Sequence, residues 1–354
     1  MEWDTSMKVL LAYQPGELRV TEMDIPQPGP REVLCKVKHC GICATDIAIM
    51  KGSLTLGEGM EPVYPVRLGH EWSGVVVKTG AETWRLKPGD RVISDTGYSC
   101  GECEMCLRGE YQSCEKGRAI GTIGDCWPGA FAEYMVVPER LAFQVPDNIT
   151  LAEAALVEPA SIGLYGLTRS PVGPGSNLLV IGTGPIALGG MACAKGMGTG
   201  RTILAGRKDR KLEIGRQMGA DLLVNMTKES LFDVVMRETN GRGMDVIMDT
   251  TGAPELFNDA MAMLRGSGTL VIPGFYEQEL NHVQLDRLIA RNCTLVGAAG
   301  TTNMGRRVLD MMANGHVSLK PMITDRFPFS LVHEAFDAVT ARNDSRVKVL
   351  VDFE

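Results

Sequence analysis

Four cysteines lie within fifteen residues of this chain, at the spacing C-x2-C-x2-C-x7-C. A tetrahedral metal ion can collect four thiolates from one such loop, whereas cysteines three positions apart cannot easily all pair with one another. Glycines flank the group and no hydrophobic period runs through it, which is typical of a loop. The pattern predicts a closed, structural zinc site, with an iron–sulfur cluster and a chance group of free thiols as the alternatives. The ligands of this site are Cys100, Cys103, Cys106 and Cys114.

A second group of metal-binding residue types lies earlier in the chain. Cys43 follows an alternating strand at residues 33–37, and the pair His70-Glu71 precedes an apolar strand at 74–77. A thiolate, an imidazole and a carboxylate form a zinc set that leaves one position free for water or substrate. A His-Glu pair before a strand is more often structural when taken alone. The prediction of a catalytic zinc therefore depends on the three residues together.

The stretch Gly182-x-Gly184-x-x-Ala187 has the form of a dinucleotide-binding turn. It follows an apolar strand at 177–181 and opens a helical segment, which is the context that this short motif requires. The helix N-terminus then supplies amide donors for phosphate groups. The predicted coenzyme-binding residues of this turn are Gly182, Thr183, Gly184, Pro185, Ile186 and Ala187.

The end of the next predicted strand indicates which coenzyme binds. An NAD site usually places an acid there, about 20 residues beyond the turn, to bind the ribose 2′-hydroxyl. Here Gly206 stands at that point and Arg207 and Lys208 follow at once, so two cations are available to a 2′-phosphate. We therefore expect NADP. The alternative is NAD, with Asp209 as a displaced acid and the two cations as solvated loop residues.

Two patterns divide the chain into elements that must position these residues. Residues 8–145 read as short strands between Gly/Pro turns, which is typical of an irregular, largely β domain. Beyond Leu151, helical segments alternate with apolar strands, as in a doubly wound parallel sheet. A helix is predicted at 151–167, and strands at 202–205, 221–224, 244–249, 269–273, 294–296 and 347–351.

We therefore predict an α/β fold of two domains. Residues 1–155 form a β-rich catalytic domain with a cysteine lobe at about 97–115, completed by residues 298–354, and residues 156–297 form the doubly wound coenzyme domain.

Composition limits the classes of partner. The chain has 354 residues and a formal net charge of −7, which argues against nucleic acid or an anionic membrane as a partner. No apolar run approaches the roughly 20 residues needed to span a bilayer. Residues 1–6 lack the apolar core of a signal peptide, so we expect a cytoplasmic protein.

Taken together, these residues make the chain resemble the zinc-containing medium-chain dehydrogenase superfamily over essentially its whole length. It is most similar to the polyol branch, which includes sorbitol and threonine dehydrogenases. The matching stretches are CGICATD, GHEWSG, the four-cysteine lobe, VEPAS at 157–161, GTGPIALGG and KPMITDRFP at 320–328. The resemblance implies a GroES-like catalytic domain, a Rossmann coenzyme domain, two zinc ions per subunit and a homotetramer.

The resemblance also implies roles for individual residues. Cys43 and His70 resemble catalytic zinc ligands, and either Glu71 or Glu158 would complete the set. Thr45 resembles the hydroxyl that passes the alcohol proton toward solvent. Asp46 would orient the His70 ring and fix its tautomer.

The implied activity is hydride transfer between a secondary alcohol and NADP or NAD. The substrate would be a polyol, sugar or cyclitol, with Glu158, Arg326 or Asn303 as polar partners. The segment Ile47-Ala48-Ile49-Met50 lacks the aromatic residues of sorbitol and threonine dehydrogenases, which puts both specific activities in doubt. A threonine-type amino alcohol is the alternative substrate, and a non-catalytic coenzyme-binding relative is the alternative function.

Overall fold

A computed structural model describes residues 5–54, 61–124, 126–301, 303–341 and 343–354 of the chain. Residues 1–6 were expected not to be a signal peptide, and residues 1–4 of that segment lie outside the described part of the chain. The strands are β1 (Ser6–Gln14), β2 (Glu17–Asp24), β3 (Glu32–Gly41), β4 (Val66–Arg67), β5 (Glu71–Thr79), β6 (Arg91–Ser94), β7 (Gly97–Tyr98), β8 (Arg118–Ala119), β9 (Tyr134–Pro138), β10 (Ala142–Gln144), β11 (Leu178–Ile181), β12 (Thr202–Gly206), β13 (Leu222–Asn225), β14 (Met244–Asp249), β15 (Leu264–Ile272), β16 (Thr294–Gly297), β17 (Ile323–Pro328) and β18 (Lys348–Asp352). The α-helices are α1 (Ala44–Lys51), α2 (Glu104–Leu107), α3 (Leu151–Ala154), α4 (Val157–Thr168), α5 (Pro185–Gly196), α6 (Asp209–Gln217), α7 (Leu231–Glu238), α8 (Pro254–Met263), α9 (Asp286–Arg291), α10 (Met304–Ala313) and α11 (Val332–Thr340).

The first part of the chain is built on β-sheets, as predicted. A mixed sheet has the order β10-β6-β5-β3-β18-β17, with β9 paired to β3, and a smaller sheet has the order β2-β1-β4. Strand β18, near the end of the chain, pairs antiparallel with β3 and places Asp352 opposite His39. The tail therefore completes the sheet from which the candidate zinc ligands emerge.

The middle of the chain forms a parallel sheet with the order β13-β12-β11-β14-β15-β16. This is the doubly wound arrangement, in which the strand order reverses between β11 and β14. All four residues of β11 are buried, as expected of a strand covered by helices on both faces. The predicted doubly wound fold is confirmed, and the strand predicted at 244–249 has the bounds of β14.

One of the predicted helices is divided into two helices in the structure. Residues 151–167 were expected to form a continuous helix, but the structure divides them into α3 and α4. The break places Glu158 in the first turn of α4, which packs against α5 and α10. Buried Leu164, Met191 and Val308 belong to the core cluster that these helices share. Glu158 is thereby fixed to the coenzyme-binding side of the molecule.

The cysteine lobe is a small separate unit formed by α2 and the strand pair β7–β8. Gln112 of the lobe lies close to Gly300, in the segment that follows β16. A Cβ atom on Gly300 would lie only 1.9 Å from Gln112 Oε1, and Gly300 has a φ of +108°. Only glycine allows the backbone there to take this conformation and leaves room for the Gln112 side chain.

No helix in the described part of the chain is long and apolar enough to cross a membrane.

Candidate active site and coenzyme site

Cys43 lies at the junction of β3 and α1, where it is the N-cap residue of the helix. Asp46, buried in the first turn of α1, accepts a hydrogen bond from the Cys43 backbone N–H at 2.8 Å. The second Asp46 oxygen accepts from the backbone N–H of Gly69 at 3.2 Å. One carboxylate thus holds together the two loops that present Cys43 and His70.

Asp46 also lies close to the His70 ring. Its Oδ1 is 3.7 Å from His70 Nδ1, within ion-pair range but longer than a hydrogen bond. Asp46 therefore positions the two loops, and its role in fixing the His70 tautomer stays a prediction.

Cys43, His70 and Glu71 converge on one point. Each offers a ligand atom within 4.8 Å of the others. His70 ends the loop after β4, and Glu71 is the first residue of β5. Thr45, which was expected to relay a proton, lies with its hydroxyl oxygen 3.7 Å from Cys43 Sγ. The three residue types that sequence analysis combined are therefore adjacent in the fold.

Glu71 also forms a buried ion pair that the sequence did not predict. Lys348 Nζ lies 2.6 Å from both Glu71 carboxylate oxygens, and it also donates to the Ile42 carbonyl at 3.0 Å. The two side chains are 3% and 1% exposed, so neither charge is solvated. Although burial alone would lower the pKa of Lys348, the charges of Glu71 and Cys43 raise it above its usual value. Lys348 therefore neutralises the Glu71 carboxylate and holds both of its oxygens.

Glu158 lies beside this group, outside the three-residue cluster. Its Oε1 accepts a hydrogen bond from Thr96 Oγ1 at 3.5 Å, and the Thr96 hydroxyl lies 2.8 Å from that of Thr301. Burial raises the pKa of Glu158 to about 7, and the neighbouring Glu71 carboxylate adds to the shift while His70 opposes it. Glu158 thus sits among hydroxyl groups contributed by the loops after β6 and β16.

The donor set fits a divalent cation. His70 Nδ1 is buried without a hydrogen-bond partner, and Glu71 Oε2 has the Lys348 ion pair but no hydrogen bond. Burial lowers the pKa of His70, but the charges of Asp46 and Cys43 outweigh it and raise that pKa well above its usual value. The surrounding anions thus favour a positive charge at this point, and Cys, His and Glu atoms are ligands that zinc accepts.

The four cysteines of the lobe also fit one metal ion. Their sulfur atoms all lie within 4.8 Å of one another, and the Cys100–Cys106 and Cys103–Cys114 sulfurs are each 3.9 Å apart. Zinc–sulfur bonds of about 2.3 Å in a tetrahedron imply sulfur–sulfur distances of about 3.8 Å. Backbone N–H groups of Glu102 and Cys103 donate to Cys100 and lower the pKa of its thiol to about 6, which favours a thiolate.

The glycine turn lies between β11 and α5, as expected for a dinucleotide site. Gly182 has a φ of +119°, and α5 begins with Pro185 directly after Gly184. A cavity of about 280 Å³ opens beside the turn. Five of the predicted coenzyme residues line it, namely Gly182, Thr183, Gly206, Arg207 and Lys208, together with the unpredicted Lys211.

The end of β12 has no room for the acid of an NAD site. A Cβ atom on Gly206 would lie 2.5 Å from Thr183 Cγ2. Asp209, the alternative acid, does not line the cavity. Its two oxygens accept from Asn225 at 2.7 Å and Lys228 at 2.6 Å instead.

Two predicted substrate-binding residues are engaged in other contacts. Arg326 Nε donates to Asp352 Oδ2 at 2.9 Å. The backbone N–H of Asn303 donates to Asp95 at 2.9 Å, and Asn303 caps α10. The structure brings neither residue's side chain into a recorded contact with Cys43, His70 or Glu158.

Residues 29–147 match the alcohol dehydrogenase GroES-like domain family, and residues 185–314 match the zinc-binding dehydrogenase family. The chain belongs to the zinc-dependent medium-chain dehydrogenases.

The dehydrogenase is similar to members of the polyol branch along its whole length. It is 32% identical to L-idonate 5-dehydrogenase of Vitis vinifera, over 94% of this chain and 91% of the relative. It is 29% identical to sorbitol dehydrogenase of Bacillus subtilis strain 168, over 98% of this chain and 97% of the relative. A zinc-binding dehydrogenase of Sinorhizobium meliloti 1021, solved bound to NADP, superposes with a TM-score of 0.89 at 30% identity, covering 99% of this chain and 100% of the other.

Several site residues of the dehydrogenase escaped sequence analysis. Lys211 had a usable signal, because it follows Lys208 by one helical turn and so shares its face of α6. Lys348 is the one charged residue in the predicted apolar strand 347–351, which also indicates a buried partner. Thr96 and Thr301 gave no signal, because the fold brings them together from positions 205 residues apart.

Proposed function

We propose that this dehydrogenase oxidises a secondary alcohol of a polyol, sugar or cyclitol and transfers the hydride to NADP. The convergence of Cys43, His70 and Glu71 within 4.8 Å is the observation that supports the proposal most directly. In the reaction, a secondary alcohol and NADP⁺ give a ketone, NADPH and one proton.

We assign the catalytic zinc to Cys43, His70 and one of the glutamates Glu71 and Glu158. Zinc bound there would supply a Lewis acid that makes a nearby alcohol more acidic. Because Lys348 already neutralises Glu71, Glu158 is the carboxylate that is free to move toward a ligand or a substrate hydroxyl. Thr45 would pass the proton toward solvent, since its hydroxyl adjoins Cys43 and is partly exposed.

We assign polyol recognition to the hydroxyl groups around Glu158. Thr96 and Thr301 can each donate to and accept from a substrate hydroxyl. A polyol has further hydroxyl groups that need such partners, whereas a simple alcohol does not. This grouping favours a hydroxyl-rich substrate over a threonine-type amino alcohol, whose ammonium and carboxylate would need charged partners.

The residues of the glycine turn would hold the coenzyme, and Arg207, Lys208 and Lys211 would offer positive charge to its 2′-phosphate. The blocked position at Gly206 and the engagement of Asp209 with Asn225 and Lys228 support NADP over NAD. When bound, NADP accepts the hydride, and the protein fixes its position.

We propose the division into a catalytic domain, residues 1–155 with 298–354, and a coenzyme domain, residues 156–297. The pairing of β18 with β3 and the packing of α4 on α5 support these bounds.

We further propose a cytoplasmic homotetramer. None of the ten cysteines, all of which lie in the described part of the chain, forms a disulfide, which suits a reducing compartment. Strand β16 lies at an edge of the parallel sheet and Leu295 on it is exposed, so a second copy can pair there. The exposed face of β2, with Val20 and Met23, offers a second contact.

The test combines metal content with turnover. The purified protein should contain two zinc ions per chain and oxidise members of a panel of polyols, cyclitols and amino alcohols faster with NADP than with NAD. Cys43→Ala should lose one zinc ion and turnover but still bind NADPH, whereas Cys293→Ala should retain both zinc ions. One zinc ion per chain with no turnover on any panel member would instead indicate a non-catalytic relative.

A further inference from the structure

The cations at one corner of the coenzyme cavity, where the ribose 2′-position would lie, already form ion pairs with carboxylates. Arg207 Nη2 lies 3.2 Å from Glu255 Oε1, and Lys208 Nζ lies 2.7 Å from Asp344 Oδ1. Arg207, Lys208 and Glu255 all line the cavity, together with Lys211. A phosphate entering this corner therefore meets ion pairs rather than free cations.

Asp344 reaches this corner from a distant part of the chain. It lies between α11 and β18, in the tail that completes the catalytic sheet, whereas Lys208 directly precedes α6 on the coenzyme-binding side. Burial lowers the pKa of Lys211, and the charge of Asp344 opposes that shift, so Asp344 also acts on the third cation. The Lys208–Asp344 pair is thus a link between the two sides of the molecule.

We propose that Asp344 and Glu255 compete with the 2′-phosphate of NADP for Lys208 and Arg207, and so limit the preference of the protein for NADP over NAD. This inference rests on the proposed coenzyme function. NADP gains the full attraction of these cations only by weakening the ion pairs, because a carboxylate beside a cation offsets its charge and repels the phosphate. NAD carries only a hydroxyl at this position and leaves both pairs intact.

The expected size of the effect on NADP binding follows from the solvent exposure of the two carboxylates. The Asp344 and Glu255 side chains are 69% and 62% exposed, so each ion pair is a surface pair. The loss or gain of one ion pair at a protein surface changes the equilibrium constant of folding or binding by about 1.5- to 5-fold. Removing either carboxylate should therefore tighten NADP binding by a factor in that range and leave NAD binding unchanged.

The test measures dissociation constants for NADPH and NADH by coenzyme fluorescence, at about 0.15 M salt, where charges beyond about 8 Å are screened. Asp344→Asn and Glu255→Gln should each bind NADPH about 2- to 5-fold more tightly and NADH as wild type. Glu213→Gln is the matched control: it makes the same change in net charge on the helix that bears Lys211, and its partner is Arg216 at 3.0 Å, away from the cavity. This variant should bind both coenzymes as wild type.

A double substitution separates direct competition from a general charge effect. Lys208→Met removes the partner of Asp344 without removing a helix cap, because the Lys208 side chain makes no cap hydrogen bond. In that background, Asp344→Asn should tighten NADPH binding less than it does in the wild-type protein, because only its effect on Lys211 remains. A full effect there, equal tightening of NADH, or no difference between Asp344→Asn and Glu213→Gln would overturn the inference. Wild-type protein that binds neither coenzyme would overturn the proposed coenzyme function instead.

Discussion

At the scale of single residues, the candidate site shows how far a motif predicts chemistry. Cys43, His70 and Glu71 were recognisable because their types, their loop context and their neighbours match a zinc set, and the fold brings them together. The partner of Glu71 was not predicted, because Lys348 approaches from 277 residues further along the chain. In the sequence, Lys348 is a charged residue inside a predicted apolar strand. That position indicates that the lysine is buried but does not identify its partner.

Lys348→Met should strongly destabilise the fold. It leaves the Glu71 carboxylate buried and unpaired, and such losses cost about 3–5 kcal/mol. Urea denaturation of the zinc-free protein would measure the change in the free energy of unfolding. The exposed Lys320→Met is the control and should change little.

The double variant Glu71→Gln with Lys348→Met should recover much of that loss, because it removes both buried charges together. If Lys348→Met alone were as stable as wild type, the ion pair would not be holding Glu71.

Asp95→Asn should make stability less dependent on pH. Burial raises the pKa of Asp95 to about 7 from an ordinary 3.8, although the Asn303 N–H donated to it acts in the opposite direction. Since the folded pKa is raised, the favourable contribution is complete below pH 3.8 and is lost as pH rises to about 7. The variant should match wild type near pH 4 and exceed it at pH 8 by up to about 4 kcal/mol.

Denaturation at several pH values would measure that difference, with exposed Asp147→Asn as the control. A gain that did not vary with pH would contradict the raised pKa of Asp95.

At the scale of elements, periodicity predicted the buried strands well and one helix break poorly. Strands of the parallel sheet are apolar runs bounded by glycines and polar residues, so their positions were readable. The hydrophobic period continues through α3 and α4, which concealed the break between them. Pro159 was the available signal, because proline has no N–H and fits only the first turn of a helix, where it in fact lies.

Cys103→Ser should release one zinc ion per chain and lower the melting temperature by several degrees, because the lobe folds around its metal. Turnover per folded chain should persist, since the thiolates of the lobe do not belong to the Cys43 cluster. Metal analysis with thermal denaturation checks both statements, and Cys293→Ser is the matched control. A variant that kept its stability but lost turnover would contradict a structural role.

At the scale of the whole molecule, the sequence analysis predicted that residues 298–354 complete the catalytic domain, but not which strands would pair. The return of the tail to β3, through β17 and β18, has no local signature, because strand pairing depends on the other strands of the sheet. The exposed edge at β16 could be predicted only once the strand order was known. Such an edge with apolar side chains invites pairing between copies.

Leu295→Asp should weaken assembly. A charge on β16 disfavours pairing of two sheet edges, so the oligomer should dissociate to smaller species at low protein concentration. Light scattering after size-exclusion chromatography measures the mass. Phe232→Asp changes an exposed apolar residue of α7 in the same way and should keep the oligomer intact. Unchanged mass for Leu295→Asp would exclude the β16 edge as the contact.

The contact between Gly300 and Gln112 ties together two positions that are 188 residues apart in the chain. A relative that carries a side chain at position 300 must strain the backbone, which has a φ of +108°, and must turn the end of the Gln112 side chain aside. The two positions should therefore vary together among homologous chains. A new side chain at position 300 would stand next to Thr301, whose hydroxyl reaches Thr96 and, through it, Glu158. The packing of the lobe thus restricts which side chains can be introduced beside Thr301 and Thr96.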